Sequence, residues 1–99
     1  MVRHIVMWCI NKEITGEACT QAKLRIKNSL EALKDIVPGT ISVKVEIDAL
    51  NSSNRDIALI SEFESEEALK GYQVHPGHVE AGAYIKTVTC ERACFDYEF

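Results

Sequence analysis

An extended segment with apolar side chains on both of its faces lies at the start of the chain. In a strand, successive side chains point to opposite faces. Within residues 2–10 (VRHIVMWCI) one face carries His4, Val6, Trp8 and Ile10, and the other carries Ile5, Met7 and Cys9. This pattern is typical of a central strand that is buried on both sides. It therefore predicts a sheet whose two faces must both be covered.

The middle of the chain predicts one helix and a pair of strands. Apolar residues recur every three or four positions from about Thr15 or Thr20 to Val37, and Pro38-Gly39 then stops this amphipathic helix. Residues 41–47 alternate strictly between apolar and polar, whereas residues 56–63 are mostly apolar. The segment between them is polar and rich in turn residues, so the two strands are expected to form a hairpin with a long loop.

The last third of the chain predicts two short helices and a closing strand. Ser65 followed by two glutamates is typical of a helix start. Pro76 disfavours helical geometry at His75, so one helix is expected to end there and another to begin at Pro76. Residues 89–98 alternate and predict a strand. The expected core residues of the two helices are Ala68, Leu69, Tyr72, Val79, Ala83 and Ile85.

The order of these elements predicts an α+β, ferredoxin-like split βαβ fold. The four strands would form one antiparallel sheet with the helices on one face, in a single domain over residues 1–99. The second face would remain a large exposed apolar patch in a monomer. A symmetric homodimer, in which two sheets close into an α/β barrel, would bury it. We therefore expect a homodimer.

Composition and charge exclude several classes of partner. The net charge is -4 and the 11 Lys and Arg residues form no cluster, which argues against nucleic acid. The apolar stretch at the start is too short for a membrane span and lacks a cleavage site for a signal peptide. We therefore expect no membrane association and a cytoplasmic location. The four cysteines, which form no CxxC motif, are expected to be reduced packing residues: Cys9, Cys19, Cys90 and Cys94.

The stretch GYQVHPGHVEAG contains the candidate chemistry. His78 would be the third residue of a helix starting at Pro76, where the positive end of the helix dipole favours a neutral imidazole that accepts a proton. We therefore expect its pKa to lie below about 6.5, and His75 to titrate higher. The phenol of Tyr72, with a reference pKa of about 10, would stay protonated and donate a hydrogen bond to a carbonyl or an enolate.

Two alternative interpretations of this stretch remain open. Tyr72 is also typical of a core residue, and His75 beside Pro76 of a helix cap, so the stretch could be only a joint between two helices. His75 and His78 have a spacing that zinc accepts, but no third or fourth ligand accompanies them. No phosphate-binding loop or nucleotide fingerprint is present. We therefore expect a metal-free protein without a cofactor.

Several segments together resemble the stress-responsive dimeric α/β-barrel (Dabb) domain. They are VRHIVMW, VPG, SEFESEEAL, YQVHPGH and FDYE, and they extend over nearly the whole chain. The resemblance implies a ferredoxin-like protomer and a homodimer with a barrel interior, and for most members no assigned reaction.

One branch of this family, the plant polyketide cyclases that form olivetolic acid, is similar to the chain. That branch performs a cofactor-free aldol cyclisation with a tyrosine and a histidine, which match Tyr72 and His78. His4 and Asp96 match further polar positions of its pocket. A histidine of that branch is replaced here by Ile57.

Two classes of function follow. The first is a homodimer with an apolar pocket for a small apolar or aromatic ligand, in which Tyr72 and His78 perform cyclase-, isomerase- or lyase-like proton transfer. In this hypothesis His4, His75, Asp96 and Trp8 line or support the pocket, and His75 mainly shapes the helix joint. Trp8 and Phe95 are also candidates for plain packing residues. The second class is a non-catalytic stress-responsive dimer. A dimeric-barrel monooxygenase is a more distant alternative by analogy of fold.

Overall fold

The computed structural model describes residues 1–99 as a four-stranded antiparallel sheet with helices on one face. The elements, in chain order, are β1 (Val2–Ile10), α1 (Gly16–Glu31), a 3-10 turn (Ala32–Asp35), β2 (Thr40–Glu46), β3 (Ile57–Phe63), α2 (Glu66–Val74), α3 (Pro76–Val88) and β4 (Thr89–Glu98). The strand order in the sheet is β2-β3-β1-β4. This arrangement confirms the predicted ferredoxin-like fold, and its second crossover consists of two consecutive helices. No helix has the length and apolar character needed to span a membrane.

The core lies between the helices and one face of the sheet. Val6 of β1 pairs with Leu59 of β3, which in turn pairs with Val45 of β2, so three buried side chains form one row across the sheet. Ile26 and Leu30 of α1 are also fully buried and belong to the same core cluster. Removing such apolar surface from water is the main force that holds helices onto a sheet. The 3.6-residue period of α1 therefore decides which side of that helix faces the sheet.

The first helix is shorter than the sequence predicted. The α-helix ends at Glu31 and a 3-10 turn continues to Asp35, so Val37 lies outside it although it is buried. Pro38 disfavours helical geometry at the residue before it, and a 3-10 turn commonly tightens the end of a helix. The apolar period thus identified the buried residue correctly but not the helix boundary.

Two predicted core residues of α3 lie on the wrong side of that helix. Val79 and Ala83 are exposed, whereas Ala81 and Ile85 are buried. Positions two residues apart differ by about 200° around a helix axis, so these two pairs face opposite directions. The prediction for Ile85 was correct. The helix has small or apolar residues on both sides, and only its packing against the sheet selects one of them.

The joint between α2 and α3 follows the predicted caps. The Ser65 hydroxyl accepts a hydrogen bond from the Ala68 N–H at 3.1 Å, which starts α2. The Nδ1 atom of His75 accepts one from the Gly77 N–H at 3.0 Å, which starts α3 behind Pro76. A Cβ atom at position 77 would lie 2.8 Å from a methyl carbon of Leu33, so a larger residue there would require the Leu33 side chain to shift.

The second face of the sheet has no helix over it. Ile5 lies in a row with Ile60 of β3 and Phe95 of β4, and the exposed fractions of the last two side chains are 36% and 66%. Met7 follows on the same face of β1 and is also exposed. Within a single chain, therefore, β1 is buried on one face only, and its second apolar face is the exposed patch that the sequence predicted for a monomer. We call this helix-free surface, centred on Ile5, Met7, Ile60 and Phe95, the open sheet face.

Candidate functional site

A pocket of about 390 Å³ lies on the helix-covered side of the sheet, beside α3 and β4. Its apolar walls are buried residues of four elements, and its polar residues are two histidines and two cations. The lining residues are His4, Val6, Trp8, Leu30, Leu59, His78, Gly82, Ile85, Lys86 and Arg92. A concave apolar site with a few converging polar groups is the usual form of a small-molecule site.

His4 is held in this pocket by Asp96. The two residues are direct partners in the β1–β4 ladder, and Nδ1 of His4 contacts Oδ1 of Asp96. The imidazole is almost completely buried, whereas the carboxylate is partly exposed. The carboxylate accepts the hydrogen on Nδ1, which fixes the orientation of the ring and leaves Nε2 as the free nitrogen. Asp96 therefore acts on the pocket through His4.

His78 has its ring nitrogens in defined states. Its Nδ1 lies 3.1 Å from the carbonyl oxygen of Gln73, and because a carbonyl only accepts, Nδ1 carries the hydrogen. In the neutral ring, Nε2 is then a free proton acceptor. Burial is the largest cause and lowers the pKa of His78. The hydrogen bond to the Gln73 carbonyl opposes it, and the nearby His4 and Arg92 lower the pKa further. His78 is therefore neutral near pH 7 and able to accept a proton.

Tyr72 lies behind His78 in the core. Its ring centroid is 4.6 Å from that of His78, 4.9 Å from that of Phe63 and 6.5 Å from that of His4. The side chain is fully buried, and its hydroxyl has no hydrogen-bond partner. Burial raises the pKa of the phenol to about 12, so it stays protonated. Tyr72 contacts the pocket histidines but does not itself line the pocket.

Of the remaining predicted site residues, one lines the pocket and the others lie elsewhere. Trp8 lines the pocket. His75 does not line it, and its Nδ1 atom is used as the cap of α3. Phe95 lies on the open sheet face, away from the pocket. Ile57 is buried in the core.

Sequence reasoning missed two cations of the pocket, Lys86 and Arg92. Lys86 has the sequence context of an ordinary helix residue. The alternation of β4 puts Arg92 on the same face as Asp96, which was a predicted pocket residue, and this was the available signal for Arg92. Sequence reasoning also missed the apolar walls contributed by Leu30 of α1 and Leu59 of β3, because they come from elements far apart in the chain.

One group of side chains offers metal-ligand atoms. Nδ1 of His4, Sγ of Cys94 and an oxygen of Asp96 all lie within 4.8 Å of one another, and Cys94 Sγ is 3.6 Å from Asp96. Zinc sites need deprotonated ligands and usually three or four of them. Burial raises the pKa of the Cys94 thiol, followed by the charge of Asp96, so the thiol is protonated. The Nδ1 atom of His4 is already engaged by Asp96.

We therefore expect the purified protein to contain no stoichiometric zinc. Elemental analysis after incubation with zinc and dialysis measures this, with Cys94→Ser and His75→Ala variants as the two comparisons. One zinc per chain that disappears in Cys94→Ser would contradict the expectation at the cluster on β1 and β4. Zinc that disappears in His75→Ala would instead support a zinc site at His75 and His78.

Comparisons with known proteins give a consistent picture of the family and fold. The model of the stress responsive A/B barrel domain family matches residues 2–99. A dimeric protein of unknown function and ferredoxin-like fold from Bacteroides fragilis superposes with a TM-score of 0.92 at 32% sequence identity, over 99% of this chain and 95% of that one. None of the curated protein sequences matches this chain.

More distant structures share the fold. A dimeric ferredoxin-like protein of unknown function from Thermobifida fusca superposes with a TM-score of 0.84 at 23% identity, over 99% of this chain and 90% of that one. A structure described as an antibiotic biosynthesis monooxygenase superposes with a TM-score of 0.79 at 14% identity, over 100% of this chain and 98% of that one. At these identities the likeness shows the fold alone.

Proposed function

Because the chain belongs to the stress responsive A/B barrel domain family, we propose that it works as a homodimer whose protomers each carry an acid/base pocket for a small apolar or aromatic ligand. Similar structures from Bacteroides fragilis and Thermobifida fusca are described as dimeric. The open sheet face supports the same assembly here, because it presents Ile5, Met7, Ile60 and Phe95 to solvent in a single chain. Pairing two such faces would form the barrel and bury them.

The state of His78 is the observation that carries the proposed chemistry. Its Nδ1–H is bound to the Gln73 carbonyl and its ring borders the pocket, so the basic Nε2 is the nitrogen that remains for a ligand. A neutral imidazole with a pKa below its ordinary value is a general base that is ready at neutral pH. In the proposed step, Nε2 takes a proton from a carbon next to a carbonyl, and the C–H electron pair becomes an enolate.

Tyr72 is the proposed hydrogen-bond donor to that enolate. Its hydroxyl is buried without an acceptor, and an unsatisfied buried donor is costly unless a partner arrives. The carbonyl oxygen of a bound ligand would be such a partner, and its bond to the hydroxyl would strengthen as negative charge develops. Reaching it requires the ligand to enter beside the His78 ring, which lies between the pocket and the phenol. His4, held by Asp96, completes the polar end of the pocket.

Hydrogen–deuterium exchange on a simple ketone tests the proposed base. With cyclohexanone in deuterated water, we expect the protein to accelerate loss of the hydrogens next to the carbonyl, and His78→Ala to remove that acceleration. General-base contributions are typically about 10²- to 10⁴-fold for good substrates, so a poor probe such as this should show a smaller effect. His75→Asn, which keeps a capping side chain on α3, is the matched control and should retain it.

The pH dependence of the exchange gives a second readout of the same experiment. The burial of His78 lowers its pKa, so the active neutral form should persist below about pH 6.5 and be lost as the pH falls through the lowered pKa. NMR titration of the His78 ring should show the same midpoint. Equal exchange with the wild-type protein and His78→Ala would favour a non-catalytic dimer whose α2–α3 stretch is only a capped joint.

A further inference from the structure

Two cations at the pocket have no carboxylate partner. The protein has a net charge of -4, yet Lys86 and Arg92 both line the pocket and neither takes part in any of its five ion pairs. Both residues are exposed, whereas the apolar walls contributed by Val6 and Leu59 are buried. The cations therefore lie at the mouth of the pocket and the hydrocarbon surface lies at its base.

The side-chain alternation of β4 places Arg92 on the pocket side of the sheet. Asp96 and Cys94 pair with the pocket residues His4 and Val6, and Arg92 is the next position on that face of β4. Arg92 therefore borders the same pocket as His4.

We propose that the pocket binds an apolar organic acid as its carboxylate, with the anion paired to Arg92 and Lys86 and the hydrocarbon part against the buried walls. Guanidinium and ammonium groups at a partly desolvated site bind carboxylates by charge-assisted hydrogen bonds. Arg92 is also close enough to His78 for its charge to influence that ring, so the acid group and the base would act on one ligand. The pocket volume of about 390 Å³ suits a single ring or a short chain.

This inference rests on the proposed function and names the class of ligand for the same pocket. The two cations select for negative charge, the walls select for apolar surface, and the histidines act on a carbon between these regions. A cationic ligand would be repelled by the two cations. A sugar would place its hydroxyl groups against apolar walls that offer them no hydrogen bonds. Because Arg92 lies on the helix-covered side of the sheet, pairing of the open sheet faces leaves this pocket unchanged.

Binding of octanoate and of its uncharged analogue octanamide tests the inference. Trp8 is the only tryptophan of the chain and lines the pocket, so its fluorescence reports the binding of either compound. We expect octanoate to bind roughly tenfold more tightly than octanamide, with an advantage that shrinks as salt is added. Arg92→Gln and Lys86→Gln should each weaken octanoate severalfold and leave octanamide unchanged.

Lys12→Gln is the matched control, because it makes the same change of charge at an exposed residue outside the pocket. It should leave both affinities unchanged. Equal affinities for the two compounds, an equal effect of the control, or no response of Trp8 to octanoate would each overturn the inference. The wild-type protein separates the two proposals: octanoate binding together with ketone exchange supports both, whereas octanoate binding without ketone exchange keeps the ligand class and removes the proposed chemistry.

Discussion

The Tyr72→Phe variant is expected to be more stable than the wild-type protein while losing function. The Tyr72 hydroxyl is fully buried and has no hydrogen-bond partner, so removing it removes an unsatisfied polar group and leaves the ring contacts with Phe63 and His78 in place. Such a group costs about 1–3 kcal/mol in a folded protein. We therefore expect the free energy of unfolding to rise by about that amount.

Chemical denaturation of both proteins at one protein concentration measures this gain, because a dimer's apparent stability depends on concentration. For a domain of this size, each kcal/mol corresponds to roughly 4–8 °C in melting temperature. Tyr84→Phe is the control: Tyr84 is half-buried beside Arg25, and losing its hydroxyl should change stability by less than about 0.5 kcal/mol.

The same substitution should slow the proposed reaction. A hydrogen-bond donor to a developing oxyanion is worth about 10²- to 10³-fold in rate, and phenylalanine cannot supply it. Ketone exchange measured as above should therefore fall in Tyr72→Phe. A less stable Tyr72→Phe protein would show that the hydroxyl has a structural partner, and Tyr72 would then be a core residue of the helix joint.

A negative charge on the open sheet face is expected to split the homodimer. Phe95→Glu replaces a side chain that is 66% exposed in a single chain, so the protomer should still fold. In the dimer, the same position would carry an unpaired carboxylate into an apolar interface, once from each protomer, at a cost of several kcal/mol. We expect the dissociation constant to rise by roughly 10³-fold or more.

Sedimentation equilibrium at micromolar protein distinguishes the two states. The wild-type protein should be a dimer and Phe95→Glu a monomer. Val79→Glu is the matched control, because Val79 is similarly exposed but lies on the outer side of α3. A wild-type monomer, or a dimer that persists in Phe95→Glu, would contradict the assignment of the open sheet face as the interface.

Most element types could be read from the sequence, because each depends on a local period. Alternation marked β2 and β4, the three- and four-residue spacing marked α1, and Pro76 marked the break between α2 and α3. The end of α1 and the buried side of α3 could not be read in this way. Both depend on how the helix packs against the sheet, and the residues of one segment alone do not determine that packing.

The candidate site was only partly accessible from the sequence. Tyr72 and His78 stood out because they flank a proline within seven residues, and the caps around His75 follow from local rules. The pairing of His4 with Asp96 joins residues 92 positions apart, so it was available only through the resemblance to a family. Arg92 lies on the same face of β4 as Asp96 by simple alternation, but the sequence does not show that Lys86 of α3 meets it at one pocket.

The sequence by itself determined the order of helices and strands and the apolar character of both faces of β1. These properties follow from side-chain periodicity and backbone chemistry over a few residues. The tertiary structure alone decided that Tyr72 is buried without a partner, that His4 meets Asp96, and that Lys86 and Arg92 share one pocket mouth. Such properties arise from strand register and from the packing of distant elements, because the surfaces that fit together come into contact only when the chain folds.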